Sequence, residues 1–210
     1  QRNSRGELGE YFNMAIGRPG EPGSIFKAVT LATLLEDSKV KLSQKIPTNH
    51  GRIAEMPEIT ADHYITDWER NHKTSTISVQ DGFKISSNYV FRRLVLDHYG
   101  DNPQKFIDRL YGYKLNNAYE FDLEEKGGTK SRVPDPGTSS WSRSTLPSTA
   151  IGYSVMETPL NIVTFYNTIA NNGKMMKPYL IESHEKDGRV VKKFGPEILN
   201  ASAFSKATAD

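Results

Sequence analysis

The 210-residue sequence predicts a mainly α fold with one small β-hairpin. Three observations predict it. Apolar residues recur at helical spacing in several stretches, each bounded by a capping Ser, Thr or Asn or by a stopping Gly. The clearest strand signal is confined to one place, where Pro178-Tyr179-Leu180-Ile181-Glu182 and Arg189-Val190-Val191-Lys192-Lys193-Phe194 flank the turn Lys186-Asp187-Gly188. The length suits one domain with its own core, and an apolar content of 36% is modest without suggesting disorder.

Taken in order, residues 1 to 23 are polar and glycine-rich and read as an approach loop, with Tyr11-Phe12-Asn13-Met14-Ala15-Ile16 as a short apolar cluster. Pro22 and Gly23 break this segment, and Ala28 to Leu35 is apolar apart from Thr30 and Thr33. A buried helix is therefore expected to open at or beside Ser24 and to end near Asp37-Ser38. Lys39 to Ile77 carries few periodic signals, and Asn49-His50-Gly51-Arg52 suggests a short hairpin. His50, His63 and His72 are spaced by 13 and 9 residues, which fits neither a helix face nor a zinc finger. Ser78 caps a helix through Val79, Phe83 and Ile85, and a second helix runs from Val90 to a stop at Gly100. Asn102-Pro103 opens a third through Phe106, Ile107, Leu110 and Tyr111, closed by Gly112.

Helices bearing the candidate motifs thus occupy residues 24 to 112, and residues 113 to 157 read mainly as a long loop anchored by Trp141. Thr158-Pro159 starts a helix over residues 158 to 173 with Leu160, Val163, Phe165, Ile169 and Ala170 inward, stopped by Asn172-Gly173. The hairpin fills residues 178 to 195, and the tail from 196 to 210 is expected to be weakly structured or to begin one more helix.

Composition narrows the function. A net charge of +2 from 27 basic and 25 acidic residues gives no argument for nucleic acid. Cysteine is absent, so no disulfide or thiolate metal site is expected. No apolar run approaches the roughly 20 residues that span a bilayer, and Gln1-Arg2-Asn3-Ser4-Arg5 is no signal peptide, so any membrane anchor is expected outside this chain.

The chemistry is concentrated in Glu21-Pro22-Gly23-Ser24-Ile25-Phe26-Lys27. Residues three apart on a helix lie one turn apart on the same face, so the Lys27 amine can reach the Ser24 hydroxyl. A serine at a helix N-terminus feels free N–H groups and the positive end of the dipole, which favour a developing alkoxide. Lys27 stands among Ile25, Phe26, Val29, Leu31, Leu34 and Leu35, where desolvation would lower its proton affinity and fit it to act as a base. The bland alternative is a capping serine beside a solvated lysine. A second motif weighs against it, because Ser86-Ser87-Asn88 places a Ser and an Asn two apart at a helix–helix join.

Together with Trp141-Ser142, Ile151-Gly152-Tyr153, Thr158-Pro159-Leu160-Asn161 and Ile169-Ala170-Asn171-Asn172-Gly173, these motifs follow the order of a family. The sequence resembles the transpeptidase domain of class B penicillin-binding proteins, most of all the septal, division-specific branch. The resemblance implies the helical lobe of the penicillin-binding/serine β-lactamase-like α+β transpeptidase fold. It implies a serine-type acyltransferase acting on D-Ala-D-Ala ends of peptidoglycan stem peptides, with no cofactor, and β-lactam antibiotics as substrate mimics. Ser24 would be the nucleophile and Lys27 its base, while Ser86 would relay the proton and Asn88 would hold the substrate amide and the Lys27 amine. Cell-division proteins would be partners, and the setting would be the extracytoplasmic face of the bacterial inner membrane, reached through an N-terminal transmembrane helix outside this chain.

The resemblance also has a gap. The family's third motif, Lys-Thr/Ser-Gly, does not occur; Lys73-Thr74-Ser75 precedes Ser86 and lacks the glycine. In the family that motif lies on a strand supplying half of the oxyanion hole, and losing one such donor costs roughly 100- to 1000-fold in rate. The chain is thus expected to be an internal piece without most of the central sheet, and to acylate poorly or not at all by itself. Two other readings compete. A hydrolase, either carboxypeptidase or β-lactamase, would need a carboxylate to activate water, for which Glu124-Glu125 is the candidate pair. A binding or scaffold domain would carry the site as a vestige. A Ser-His-Asp triad has five histidines to draw on, none of them in a motif.

Overall fold

A computed structural model describes residues 4–7, 13–118 and 130–210. The Glu124-Glu125 pair and part of the expected long loop fall outside the described residues. The helices are α1 (Met14–Gly17), α2 (Lys27–Glu36), α3 (His63–His72), α4 (Val79–Lys84), α5 (Asn88–Tyr99), α6 (Pro103–Gly112), α7 (Thr145–Thr149), α8 (Pro159–Ala170) and α9 (Lys206–Ala209). The strands are β1 (Lys45–Pro47), β2 (Thr76–Ser78), β3 (Met175–Met176), β4 (Ser183–Lys186), β5 (Arg189–Lys193) and β6 (Ile198–Asn200). They pair antiparallel in three two-stranded sheets, β1 with β2, β3 with β6 and β4 with β5. The mainly α reading therefore holds, and so does the hairpin around Asp187-Gly188, whose two turn residues both have positive φ, 51° and 72°.

Helix α2 lies at the centre. Phe26, Val29 and Leu34 are fully buried, and α5, α6 and α9 pack around the helix. Its two threonines enter the core because their hydroxyls find acceptors: Thr30 Oγ1 donates to the Ala150 carbonyl at 2.8 Å and Thr33 Oγ1 to the Val29 carbonyl at 2.9 Å. Helix α5 contributes Val90, Phe91, Leu94 and Val95, and α6 contributes Phe106, Ile107 and Leu110. The rings of Tyr113, Phe165 and Phe204 meet with centroids 5.3 to 5.8 Å apart.

The α4–α5 join is drawn tight by Gly82. A Cβ there would lie 2.7 Å from a Val90 methyl, so only glycine lets the two helices approach. Ser78 caps α4, accepting from the Asp81 N–H at 3.0 Å, and Ser87 caps α5, accepting from the Val90 N–H at 3.1 Å.

Several expectations are corrected. Asn49–Gly51 forms a 3-10 turn rather than a hairpin, and β1 instead pairs with β2 beyond α3, joining Ile46 to Ile77. Helix α3, opened by the capping Asp62, was not expected because its ten residues are polar on average and Ile65 is its one fully buried side chain. Phe83 points outward, and on α8 Val163 and Ala170, expected inward, are exposed while Ile162 is buried. Two segments read as loops are tied down: Gly20, in the approach to Ser24, forms an antiparallel bridge with Glu157, and Arg132, in the 113–157 segment, forms another with Met156. The tail adds β6 and α9, and it seals the core with Phe204.

Candidate active site

Ser24 is the second residue of a 3-10 turn, Gly23–Phe26, that leads directly into α2. Its hydroxyl is exposed, whereas Lys27, one turn on, is only 1% exposed. The Lys27 ammonium donates to Ser24 Oγ at 2.9 Å, to Ser86 Oγ at 3.0 Å and to the Ser86 carbonyl at 2.6 Å. All three N–H donors are thereby used, two of them on hydroxyls of the two motifs.

Burial pushes the Lys27 pKa down from 10.5 to about 8; the nearby Asp62 carboxylate opposes the shift and the Arg92 guanidinium adds to it. A substantial neutral fraction near neutral pH gives the amine a lone pair to offer a serine proton. Ser86 has φ 55°, a left-handed conformation rarely taken by a residue other than glycine. This backbone turns both its carbonyl and its hydroxyl toward Lys27, and strain of this kind marks Ser86 as a candidate site residue.

Asp62 is a buried residue of this network that sequence reasoning missed. It is 6% exposed; Oδ2 accepts from Ser87 Oγ at 2.7 Å and from the Tyr89 N–H at 2.9 Å, and Oδ1 accepts from the Tyr64 N–H at 3.1 Å. It thus ties the Ser86 turn and the start of α5 to the start of α3. The available signal was an Asp before a helical stretch, but the partner of its second oxygen lies 25 residues away.

Asn88 is the first residue of α5 and lines a cavity of about 510 Å³ with Asp62, Arg92 and Ser144. It is not among the Lys27 partners, so the expected Asn88–Lys27 contact is not formed. The five histidines are likewise absent from the Ser24 hydrogen bond, which goes to Lys27. Ser142, quoted with Trp141, serves the start of α7, its N–H donating to Thr145 Oγ1 at 2.9 Å.

The Gly152 segment and α8 hold the Ser24 turn from behind. Gly23 N–H donates to the Gly152 carbonyl at 2.9 Å, the Ser154 N–H donates to Glu21 Oε1 at 2.9 Å, and the Tyr166 hydroxyl donates to the Ile25 carbonyl at 2.8 Å. Close by, Glu157 is 3% exposed with both carboxylate oxygens lacking hydrogen-bond partners. Burial pushes its pKa up to about 8, with Ser131 and Asn161 beside it offsetting part of the rise without reaching hydrogen-bond geometry.

A family model described as the penicillin binding protein transpeptidase domain matches residues 1–210. The chain belongs to that family. Among curated relatives, this transpeptidase domain is 27% identical over 195 residues to penicillin-binding protein PbpB of Mycolicibacterium smegmatis, covering 88% of the chain and 26% of the relative. It is 21% identical over 180 residues to penicillin-binding protein 3 of Bacillus subtilis, covering 85% and 25%. The chain therefore spans about a quarter of the length of the curated relatives it matches. Solved structures agree on the fold. A D,D-transpeptidase domain of a peptidoglycan glycosyltransferase from Eggerthella lenta superposes with a TM-score of 0.77 at 25% identity, covering 94% of this chain and 48% of that one. Penicillin-binding protein A of M. tuberculosis, solved as a ceftriaxone acyl-enzyme complex, gives 0.77 at 22%, covering 94% and 42%. Among the described residues of the transpeptidase domain, no helix is long and apolar enough to cross a membrane.

Proposed function

We propose that this chain carries the nucleophile half of a serine D,D-transpeptidase that cross-links peptidoglycan stem peptides. The observation that carries the reading is one buried amine hydrogen-bonded to the hydroxyls of both Ser24 and Ser86. Ser24 Oγ attacks the penultimate D-alanine carbonyl while Lys27 takes its proton. The tetrahedral intermediate collapses, the C–N bond to terminal D-alanine breaks, and the proton passes through Ser86 to the leaving amine. The amine of a second stem peptide then attacks the Ser24 ester, loses its proton to Lys27 and returns the serine to its starting state. Asn88, on the wall beside this network, holds the substrate amide. A β-lactam acylates the same oxygen by opening its ring amide.

The family membership supports the reaction class. The division-specific role, division-protein partners, periplasmic placement and N-terminal anchor rest on the sequence resemblance, and we put them forward on that basis. For the 210-residue chain by itself we infer weak acylation or none, since no Lys-Thr/Ser-Gly sequence is present to complete an oxyanion hole. Intact-mass analysis after incubation with benzylpenicillin, beside a Ser24→Ala control, tests the reading. One adduct that disappears in the control supports it. An adduct retained in the control, or located on a residue other than Ser24, refutes it.

A further inference from the structure

The cavity beside Asn88 is lined also by Glu58, Tyr64 and Arg92, none of which the proposed chemistry uses. Arg92 follows Asn88 by four residues on α5, so the two side chains leave the same face of the helix. It is half-buried, and its Nε is buried without a hydrogen-bond partner. Among the described residues Arg92 makes no ion pair, although two carboxylates lie on the same wall. Both are committed elsewhere: Asp62 to Ser87, Tyr89 and Tyr64, and Glu58 to Arg143 at 3.0 Å. Burial lowers the Arg92 pKa, yet a guanidinium stays protonated at any ordinary pH. The Asp62 carboxylate acts on Arg92 only from beyond ion-pair distance and opposes the shift, so a partly desolvated guanidinium is left with donors free for an anion in direct contact. Asn88, two residues after Ser86, joins this cavity to the Ser86 turn, whose hydroxyl and carbonyl meet Lys27.

We propose that Arg92 binds a carboxylate of the peptide substrate in this cavity, next to the amide held by Asn88. The inference rests on the transpeptidase reading, and it names Arg92 as a specificity-determining residue for that reaction. A guanidinium presents parallel N–H groups that match a carboxylate in bidentate fashion, which a lysine does not. The carboxylate has two possible sources. One is a side chain just upstream of the scissile D-alanine pair in the donor, and the other is the carbon that bears the attacking amine in the acceptor.

The test is binding measured calorimetrically in a Ser24→Ala chain, where acylation plays no part. The donor probe is Nα-acetyl-glutamyl-D-alanyl-D-alanine against its glutaminyl counterpart, and the acceptor probe is meso-diaminopimelic acid against its diamide. In one of the two pairs the acid is expected to bind roughly tenfold or more tightly than the amide, as for a partly buried charged hydrogen bond. That pair identifies the source. The preference should vanish in Arg92→Gln and survive in part in Arg92→Lys. Equal affinity of acid and amide in both pairs, or no measurable binding of either acid, overturns the proposal without needing any Arg92 variant to fold. So does a preference that persists in an Arg92→Gln chain with unchanged circular dichroism. Penicillin uptake by the unsubstituted chain is scored separately, so failure of the transpeptidase reading and failure of the carboxylate site give different results.

Discussion

If Lys27 is the base, the rate of Ser24 acylation must follow the neutral fraction of its amine. With a pKa of about 8, roughly 1 amine in 100 is neutral at pH 6 and half are neutral at pH 8, so the rate should rise about 50-fold between them and level off above pH 9. An ordinary lysine at 10.5 would be neutral in only about 1 molecule in 300 at pH 8, and its rate would keep climbing close to tenfold per pH unit past pH 9. The two cases differ in where the plateau begins. The assay is the initial rate of adduct formation with benzylpenicillin at saturating excess, read by intact mass between pH 5.5 and 9.5, with the Ser24→Ala chain as blank. Signed electrostatics provide an internal check. Arg92 depresses the Lys27 pKa, so Arg92→Gln should move the midpoint toward higher pH. A rate that is flat from pH 6 to 8, or one still climbing close to tenfold per pH unit at pH 9.5, would refute Lys27 as a desolvated base.

Two further outcomes follow from the segment behind Ser24. Glu157 has its pKa raised from 4.5 to about 8 by burial, so its stabilising neutral form is fully present below pH 4.5 and is lost as pH rises through 8. Glu157→Gln should raise stability at pH 8.5 by up to about 4 kcal/mol, on the order of 10 °C in melting temperature, and should change little at pH 4; an equal gain at both pH values in thermal melts would sink the assignment. At Gly152, φ is 81° and a Cβ would lie 2.1 Å from the Gly23 carbonyl oxygen, so Gly152→Ala must push the Ser24 turn out of place. Acylation should fall about tenfold to 100-fold, while Gly112→Ala, where nothing lies within 4 Å of a Cβ, should leave the rate unchanged.

What was legible in the sequence is what local periodicity encodes. The three-residue spacing of Ser24 and Lys27 survives as a hydrogen bond, and the capping residues Ser78 and Thr158 start helices as expected. The turn at Asp187-Gly188 is equally local. What was not legible depends on contacts between distant segments. Asp62 takes its importance from Ser87 and Tyr89, and the two-residue β3 is a strand only because Ile198–Asn200 lies alongside it. Choosing Val163 over Ile162 was a phase error of one residue on α8. Sequence cannot correct such an error when Asn161, Thr164 and Thr168 face inward with their polar groups hydrogen-bonded.

The site owes its chemistry to costs that the surrounding packing absorbs. An amine at 1% exposure and a serine at positive φ are each unfavourable by themselves. Neither can relax. Phe26 and Val29 fix the turn that carries Lys27, and Gly82 and Ser87 fix the turn that carries Ser86. The Ser86 carbonyl connects the two, since it accepts from Lys27 at 2.6 Å only while Ser86 stays left-handed. A change that lets Ser86 return to an ordinary backbone would remove two of the three acceptors of the amine at once. The amine could then regain water, and its pKa would drift back toward 10.5. The strain at Ser86 and the lowered proton affinity of Lys27 are therefore coupled, and the plateau of the pH–rate profile reports on both.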